Sequence, residues 1–336
     1  MTSMTNEAAT GSADIVVLGI FAADLVFQAD RLPAIGETLF GRAFSIGSGG
    51  KGSNQAIAAA RAGGKIGLIT RIGADTFGDL ARSVWQAEGI IADAISTDPA
   101  QATGAAFIFV SAATGDNAIL VTPGAAGRIS AADVAAAGSM IAGAKVFMTQ
   151  LEQPVEAALA GLEAARQAGV VTIFNPAPAI AVPDMIWRFC DWMTPNETEA
   201  AALSGVAVDS MDGAFHAADA LGRRGVRNVL ITLGEKGAIL SGEIGTVLFP
   251  PLAGATVVDT TGAGDAFNAG LAVALAEGRS AEDAIRFATA VAGLSVGRPG
   301  AAASMPARTE IEAALERVPS PIWMTRPEDD LIFSTG

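Results

Sequence analysis

Short β-branched runs alternate along this chain with long alanine-rich stretches, and that alternation restricts its fold more than any other feature. "DIVVLGI" (Asp14–Ile20) is bounded by turn residues and reads as a buried strand. Similar runs recur at "KIGLIT" (Lys65–Thr70), "KVFMT" (Lys145–Thr149), "VVTIF" (Val170–Phe174), "CDWMT" (Cys190–Thr194) and "NVLIT" (Asn228–Thr232). Between most of them lie helical stretches rich in Ala, Glu and Arg, such as Pro154–Gly169 and Met211–Gly225. Strands that alternate with helices build βαβ units, hence an α/β fold with a mainly parallel, doubly wound sheet. At 336 residues and 51% hydrophobic, the chain can bury a large core as one large domain or two smaller ones.

Two segments break the rhythm. Leu25–Gly47 and Gly104–Gly124 alternate apolar and polar residues around turns, with no helix between, and read as antiparallel hairpins. They interrupt the α/β pattern at two separate places, so they can meet in space as a small lid sheet. Their apolar faces suggest a homodimer in which two subunits bury the lids against each other. The segment from Pro319 to Gly336, with its acidic "PEDD", reads as a peripheral tail.

Composition excludes several functions. A net charge of −14 argues against a general binder of nucleic acid or of membrane surfaces, so any anionic substrate must be attracted by local devices. Residues 1–14 lack the basic and apolar regions of a signal peptide, and no apolar run approaches the ~20 residues of a membrane span. Ala131–Met148, the most apolar stretch, carries Asp133 and Lys145 and reads as a helix followed by a strand. The single Cys190, read as a small core residue beside Trp192, excludes an internal disulfide and fits a cytoplasmic protein. With His216 as the only histidine, on a polar helical stretch, zinc sites and a Ser-His-Asp triad are excluded as well.

The chemistry gathers in two glycine clusters. "GSGGKGSNQ" (Gly47–Gln55) resembles a phosphate cradle, but the spacing denies it: the first glycine of G-x-x-x-x-G-K-[ST] falls at Ser45, and Gly52 stands where a hydroxyl is needed. A dinucleotide fingerprint also fails, because "GIFAAD" follows the first strand. The loop instead opens a helix near Ser53 or Asn54, with Lys51 and Asn54 able to face a polar ligand. In the second cluster, "TVVDTTGAGDAFNAG" (Thr256–Gly270), a strand-like run and a Gly-Ala-Gly turn lead into an amphipathic helix from about Asp265. Amides of Gly262, Ala263 and Gly264 are then free at the positive end of the helix dipole, where an anion can bind. Asp265 reads either as a helix cap or as a general base that takes a hydroxyl proton beside a moving phosphoryl group.

Both clusters resemble the two signature motifs of the ribokinase family, also called the phosphofructokinase-B family of carbohydrate kinases. Further pieces follow in the family's order: "GETLFG" (Gly36–Gly41), "QLE" (Gln150–Glu152), "NPAPA" (Asn175–Ala179), "TPNETEA" (Thr194–Ala200) and "ITLGEKGA" (Ile231–Ala238). The resemblance spans about residues 14–315. It implies a ribokinase-like three-layer α/β/α kinase domain there, with lid hairpins at about 24–47 and 103–124 and peripheral tails at 1–13 and 319–336. It implies transfer of the γ-phosphoryl group of ATP to a sugar hydroxyl, with Asp265 as base and Gly262, Ala263 and Gly264 as the anion hole. Asp24, Gly50, Lys51, Asn54 and Glu152 match positions that hold the sugar, and both donors and acceptors are what a sugar requires. Asn196 and Glu199 match an element that organises Mg²⁺ through waters; the bland alternative is a helix start with Glu near the dipole. Thr232, Leu233, Gly234, Glu235, Lys236 and Gly237 match the loop beside the nucleotide. Asp259, Thr261, Ser295, Arg298, Gly300 and Ser304 match positions around a monovalent cation, K⁺, held mainly through carbonyls. One position departs: the pattern Gly-x-x-Asn-x-Asp after the first strand has Ala22 in place of Asn. The lost amide costs hydrogen bonds worth on the order of 1 kcal/mol each, which opens the choice among ribose, another sugar and a nucleoside. A non-catalytic sugar-binding protein is the alternative from another class, and the presence of Asp265 speaks against it.

Overall fold

The structure, a computed structural model, describes residues 12–324. The first strand, β1 (Ile15–Leu18), is buried on both faces. It leads directly into the lid strands β2 (Ala22–Ala29) and β3 (Ala43–Gly49), which pair antiparallel. Then follow α1 (Lys51–Arg61), β4 (Ile66–Gly73), α2 (Thr76–Ala87) and β5 (Ile95–Asp98). The second hairpin is β6 (Thr103–Ser111) and β7 (Asn117–Gly124). The chain continues through α3 (Ala131–Ala136), α4 (Gly138–Ala142), β8 (Val146–Thr149), α5 (Val155–Gln167), β9 (Val171–Phe174) and β10 (Trp192–Met193). Next come α6 (Glu197–Ser204), α7 (Met211–Arg223), β11 (Asn228–Thr232), β12 (Ala238–Gly242) and β13 (Gly245–Phe249). The last elements are α8 (Ala263–Ala276), α9 (Ala281–Ser295), α10 (Arg308–Ala314) and β14 (Ile322–Trp323).

Two sheets result. The large one runs β14-β13-β12-β11-β10-β9-β8-β1-β4-β5, parallel from β11 to β5 and antiparallel from β11 to β14. Strand pleating divides its side chains between two cores. Ile15 and Val17 of β1 join the core under α1, α8 and α9, while Val16 and Leu18 join the one under α5 and α7. The outcome is the three-layer α/β/α arrangement with a mainly parallel sheet. The small sheet, β3-β2-β6-β7, forms because β2 and β6 pair parallel and join the two hairpins. No helix among the described residues is long and apolar enough to cross a membrane.

Several elements differ from the sequence reading. Helix α1 starts at Lys51, not Ser53 or Asn54, with Gly50 at φ 83° as its N-cap. The Cβ of any other residue at Gly50 would stand 2.7 Å from the Ile20 carbonyl, and at Gly52 2.6 Å from Gly19. Both glycines therefore let the helix start press against the link between β1 and β2. Thr256–Asp259 is not a strand: the Val258 and Asp259 amides both donate to the Val296 carbonyl, and no strand partner remains. Helix α8 starts at Ala263, and residues 265–274 are buried all round rather than on one face, because α1 and α9 pack against it. The apolar stretch before β8 forms two short helices instead of one. The C-terminal segment from Pro319 begins by adding β14 as an edge strand to β13, while its acidic "PEDD" lies outside the described residues, as do residues 1–11. Cys190 is buried, and burial pushes its thiol far up; His216 is exposed.

Candidate active site

The carboxyl ends of the central strands face one hollow, the usual place for a ligand in an open parallel sheet. Asn175 follows β9, Thr194 follows β10, and Thr232 ends β11. Together with Lys51, Asn196, Glu199, Gly262, Gly264, Asp265 and Asn268 they line a cavity of about 210 Å³. A larger hollow of about 490 Å³ lies between β5 and the α3–α4 pair. Its half-buried acid, Asp133, is already held by Arg71 and Ser130, so it offers little to a ligand.

Asp265 is the third residue of α8, and its side chain caps nothing, since Gly262 is the N-cap at φ 78°. The carboxylate is buried at 5% exposure. Asn54 Nδ2 donates to Oδ2 at 3.1 Å and Gln55 Nε2 donates to Oδ1 at 3.0 Å. The two glycine clusters thus meet across 211 positions of sequence. At the helix start the Ala263 amide donates to the Thr260 carbonyl at 3.1 Å, so it is not free as the sequence suggested. At this helix start the amides of Gly262, Gly264 and Asp265 have no partner among the described residues. A side chain on Gly264 would meet nothing within 4 Å, and Gly262, Gly264 and Asp265 all line the cavity, where an anion can enter beside these donors.

The residues matched to the sugar gather beside this point. The Lys51 amide donates to Glu152 Oε2 at 2.7 Å, and the Asp24 carboxyl lies over Gly49, where no Cβ stands in its way. Asn54 Oδ1 is buried without a partner and can accept from a ligand. Burial pushes the Asp24 carboxyl up to about 6 and raises Glu152 and Glu199 as well. Lys51 is raised, first by the charge of Asp265 and then by those of Glu152 and Glu199. One ammonium group therefore serves a pocket of four carboxylates.

On the nucleotide side the outcome is mixed. Asn196 and Glu199 form a reciprocal capping box on α6: Asn196 Oδ1 accepts from the Glu199 amide at 2.8 Å, and Glu199 Oε2 accepts from the Asn196 amide at 2.9 Å. The bland reading of this pair is thus realised, yet both residues line the cavity and Glu199 Oε1 has no partner. A carboxylate oxygen and an amide are a donor set suited to a hydrated Mg²⁺. Of the loop at 232–237 only Thr232 lines the cavity. Leu233–Gly237 forms the tight turn into β12, and a Cβ at Gly237 would strike the Phe249 carbonyl. The six residues matched to K⁺ cluster around Asp259, which accepts from Thr261 and from the Gly300 amide. Ser295 and Ser304 donate to Ala292 and Ala301 carbonyls, and Arg298 pairs with Glu310. These polar side chains are already engaged, so any cation there would rest on main-chain oxygens.

Sequence reasoning left out of the site a set of amides: Gln55, Gln150, Asn175 and Asn268. Asn268 Nδ2 donates to the Gly264 carbonyl at 2.9 Å, and Thr194 Oγ1 donates to Asn268 Oδ1 at 2.6 Å. All four stand inside the motif strings "GSGGKGSNQ", "QLE", "NPAPA" and "TVVDTTGAGDAFNAG", which was the available signal.

Known proteins share the sequence and fold of this chain. The family described as pfkB family carbohydrate kinase matches residues 12–308. A ribokinase of Haemophilus influenzae is 38% identical, covering 90% of this chain and 98% of its own. A deoxyribokinase of Salmonella typhi is 36% identical over 87% of this chain and 95% of its own. Among solved structures, Arabidopsis thaliana ribokinase complexed with ribose and ATP superposes with a TM-score of 0.84 at 31% identity, covering 91% of this chain and 99% of that one. Thermotoga maritima ribokinase gives 0.82 at 35% identity, covering 90% and 99%. With the whole fold, the lid and both motifs shared, this chain belongs to the pfkB family of carbohydrate kinases and is a phosphotransferase acting on a sugar hydroxyl.

Proposed function

We propose that the protein transfers the γ-phosphoryl group of ATP to the primary hydroxyl of a pentose, D-ribose first, with Asp265 as the general base. The observation that carries this reading is the Asp265 carboxylate, held by two amides beside three unpartnered helix-start N–H groups. ATP with Mg²⁺ supplies the electrophilic phosphorus. Asp24, Glu152, Lys51 and Asn54 bind the sugar and orient its hydroxyl. Asp265 takes the hydroxyl proton as the oxygen attacks, and the amides of Gly262, Gly264 and Asp265 balance charge on the moving phosphoryl oxygens. Lys51 offsets the negative charge of the pocket, Glu199 and Asn196 hold the hydrated Mg²⁺, and Thr232 flanks the nucleotide. The main-chain carbonyls around Asp259 would hold a K⁺ ion, whose charge would brace the loop before α8. The lid excludes water, which a base beside ATP would otherwise activate. A cytoplasmic location suits the use of ATP.

A second substrate, 2-deoxyribose, is favoured by one observation: Ala22 is buried where an amide would reach a sugar hydroxyl. The test is a panel of D-ribose, 2-deoxyribose, fructose and nucleosides with ATP, with and without K⁺. Turnover of a pentose is expected, and turnover of nucleosides alone would overturn the assignment. Asp265→Asn is expected to lower kcat by about three orders of magnitude or more, with both KM values within about tenfold. A variant that keeps most of its rate would remove Asp265 as base.

A further inference from the structure

We propose that Gln55 is a positioning residue for the proton acceptor, setting the Asp265 carboxylate in a single orientation toward the acceptor hydroxyl. The proposal rests on the reading of Asp265 as the base.

Gln55 is fully buried in α1. Its Nε2 donates to Asp265 Oδ1 at 3.0 Å and to Asn175 Oδ1 at 3.2 Å, while its Oε1 accepts from Gln150 Nε2. The polarity of this chain is dictated by its centre. A carboxylate only accepts, so the Gln55 nitrogen must face Asp265 and its oxygen must face Gln150. Gln150 must then present its nitrogen, and its own Oε1 is left buried without a partner. On the other side Asn175 presents its oxygen to Gln55 and donates Nδ2 to the Thr194 carbonyl at 3.0 Å. The amides of two strand ends and α1 are thereby aligned: Gln150 donates to Gln55, and Gln55 donates onward to Asp265 and to Asn175, whose own amide ends on the Thr194 carbonyl.

Such an arrangement has a purpose for a base. The terminal torsion of an aspartate is broad, so a carboxylate held at one oxygen can swing. Adjacent residues of α1 hold both oxygens here, Gln55 on Oδ1 and Asn54 on Oδ2. Asn54 faces the sugar and can exchange partners when a sugar binds; Gln55, clamped from behind by Gln150, cannot. It is the fixed half of the grip. Misplacing a reacting group by about 1 Å costs on the order of 100-fold in rate, which sets the scale of the effect.

The experiment is a double-mutant cycle on the intact protein, with ATP and the pentose it turns over fastest. Gln55→Met keeps length and volume but removes all three hydrogen bonds. It is expected to lower kcat by about 30- to 100-fold with the KM values for sugar and ATP within about threefold. In an Asp265→Asn background the same change should alter the residual rate by less than about threefold, because the group it positions is gone. Equal losses in both backgrounds would make Gln55 a support of the fold only, and an unchanged kcat in Gln55→Met would overturn the proposal outright. If Asp265→Asn itself keeps the wild-type rate, the reading of Asp265 as the base fails and this proposal falls with it, an outcome distinct from a failure of Gln55→Met alone. Should Gln55→Met not fold, Gln150→Met frees the back of Gln55 without touching Asp265. A kcat loss of about 3- to 10-fold at unchanged KM, absent in the Asp265→Asn background, would support the proposal, and no loss would reject it.

Discussion

At the scale of single residues the pocket depends on charges that burial disfavours. Asp24 sits on the lid strand β2 with its carboxyl pushed up to about 6 by desolvation. Its charged form is the one that accepts hydrogen bonds from sugar hydroxyls, and its protonated fraction rises as pH falls through that value. The sugar KM is therefore expected to climb below about pH 6 while the ATP KM stays level. A steady-state pH series checks this, and Asp24→Asn should flatten the dependence. The same raised value has a sign for stability: the contribution is full below the unfolded pKa and is lost as pH rises through about 6. Gly52 shows a different constraint. Its missing Cβ would overlap Gly19 at 2.6 Å, so Gly52→Ala is expected to cost about 2–4 kcal/mol through overpacking of backbone that cannot yield, read as a drop in Tm. Gly50 and Gly52 make packing contacts that the sequence did not show, because adjacency to Gly19 and Ile20 arises only when α1 lies across the end of β1.

At the scale of elements, the lid is a sheet tied to the core at a few points. Thr103, the first residue of β6, is one of them. Its Oγ1 accepts from the Gly73 amide at 2.8 Å and donates to Asp75 Oδ1 at 2.7 Å, and its amide donates to Asp75 Oδ2 at 2.7 Å. Thr103→Val keeps the shape and deletes two of these bonds. It is expected to lower stability by about 1–3 kcal/mol and to raise the sugar KM more than the ATP KM, measured by denaturant unfolding and initial rates. Elements of this kind were legible where a pattern was local. Asn228–Thr232 is a strand with the bounds read from its sequence, and both hairpins fall where alternation and turns placed them. Thr256–Asp259 misled because β-branched residues favour a strand only when a partner edge is available, and here Val296 takes the amides instead. The all-round burial of α8 was equally invisible: two neighbouring helices cover it, and neither lies near it in sequence except α9.

At the scale of the molecule, one feature asks for a second copy. Pairings Phe27↔Phe44, Leu25↔Ile46 and Phe107↔Leu120 put six apolar side chains on the lid face opposite Asp24. Phe44, Ile46 and Leu120 are 53%, 51% and 69% exposed, which is costly on an isolated sheet. We propose that two subunits cover these faces mutually. Leu120→Asp with Phe44→Asp is expected to halve the mass found by light scattering and to raise the sugar KM; a wild-type protein that is already monomeric would dismiss the dimer.

By itself the sequence determined what lies within a few residues of each position. Strand and helix periods, the Gly-Ala-Gly turn, the two hairpins and the motif strings all depend on local sterics and patterning, which a short window contains in full. The tertiary structure alone decided what those pieces do together. It placed Asn54 and Gln55 on a carboxylate 211 and 210 positions away, bound the Ala263 amide while leaving that of Asp265 free, and turned Asn196 and Glu199 into each other's caps. Such contacts form when the burial of two cores fixes which strand ends and helix starts share one hollow, and no window of sequence holds that information.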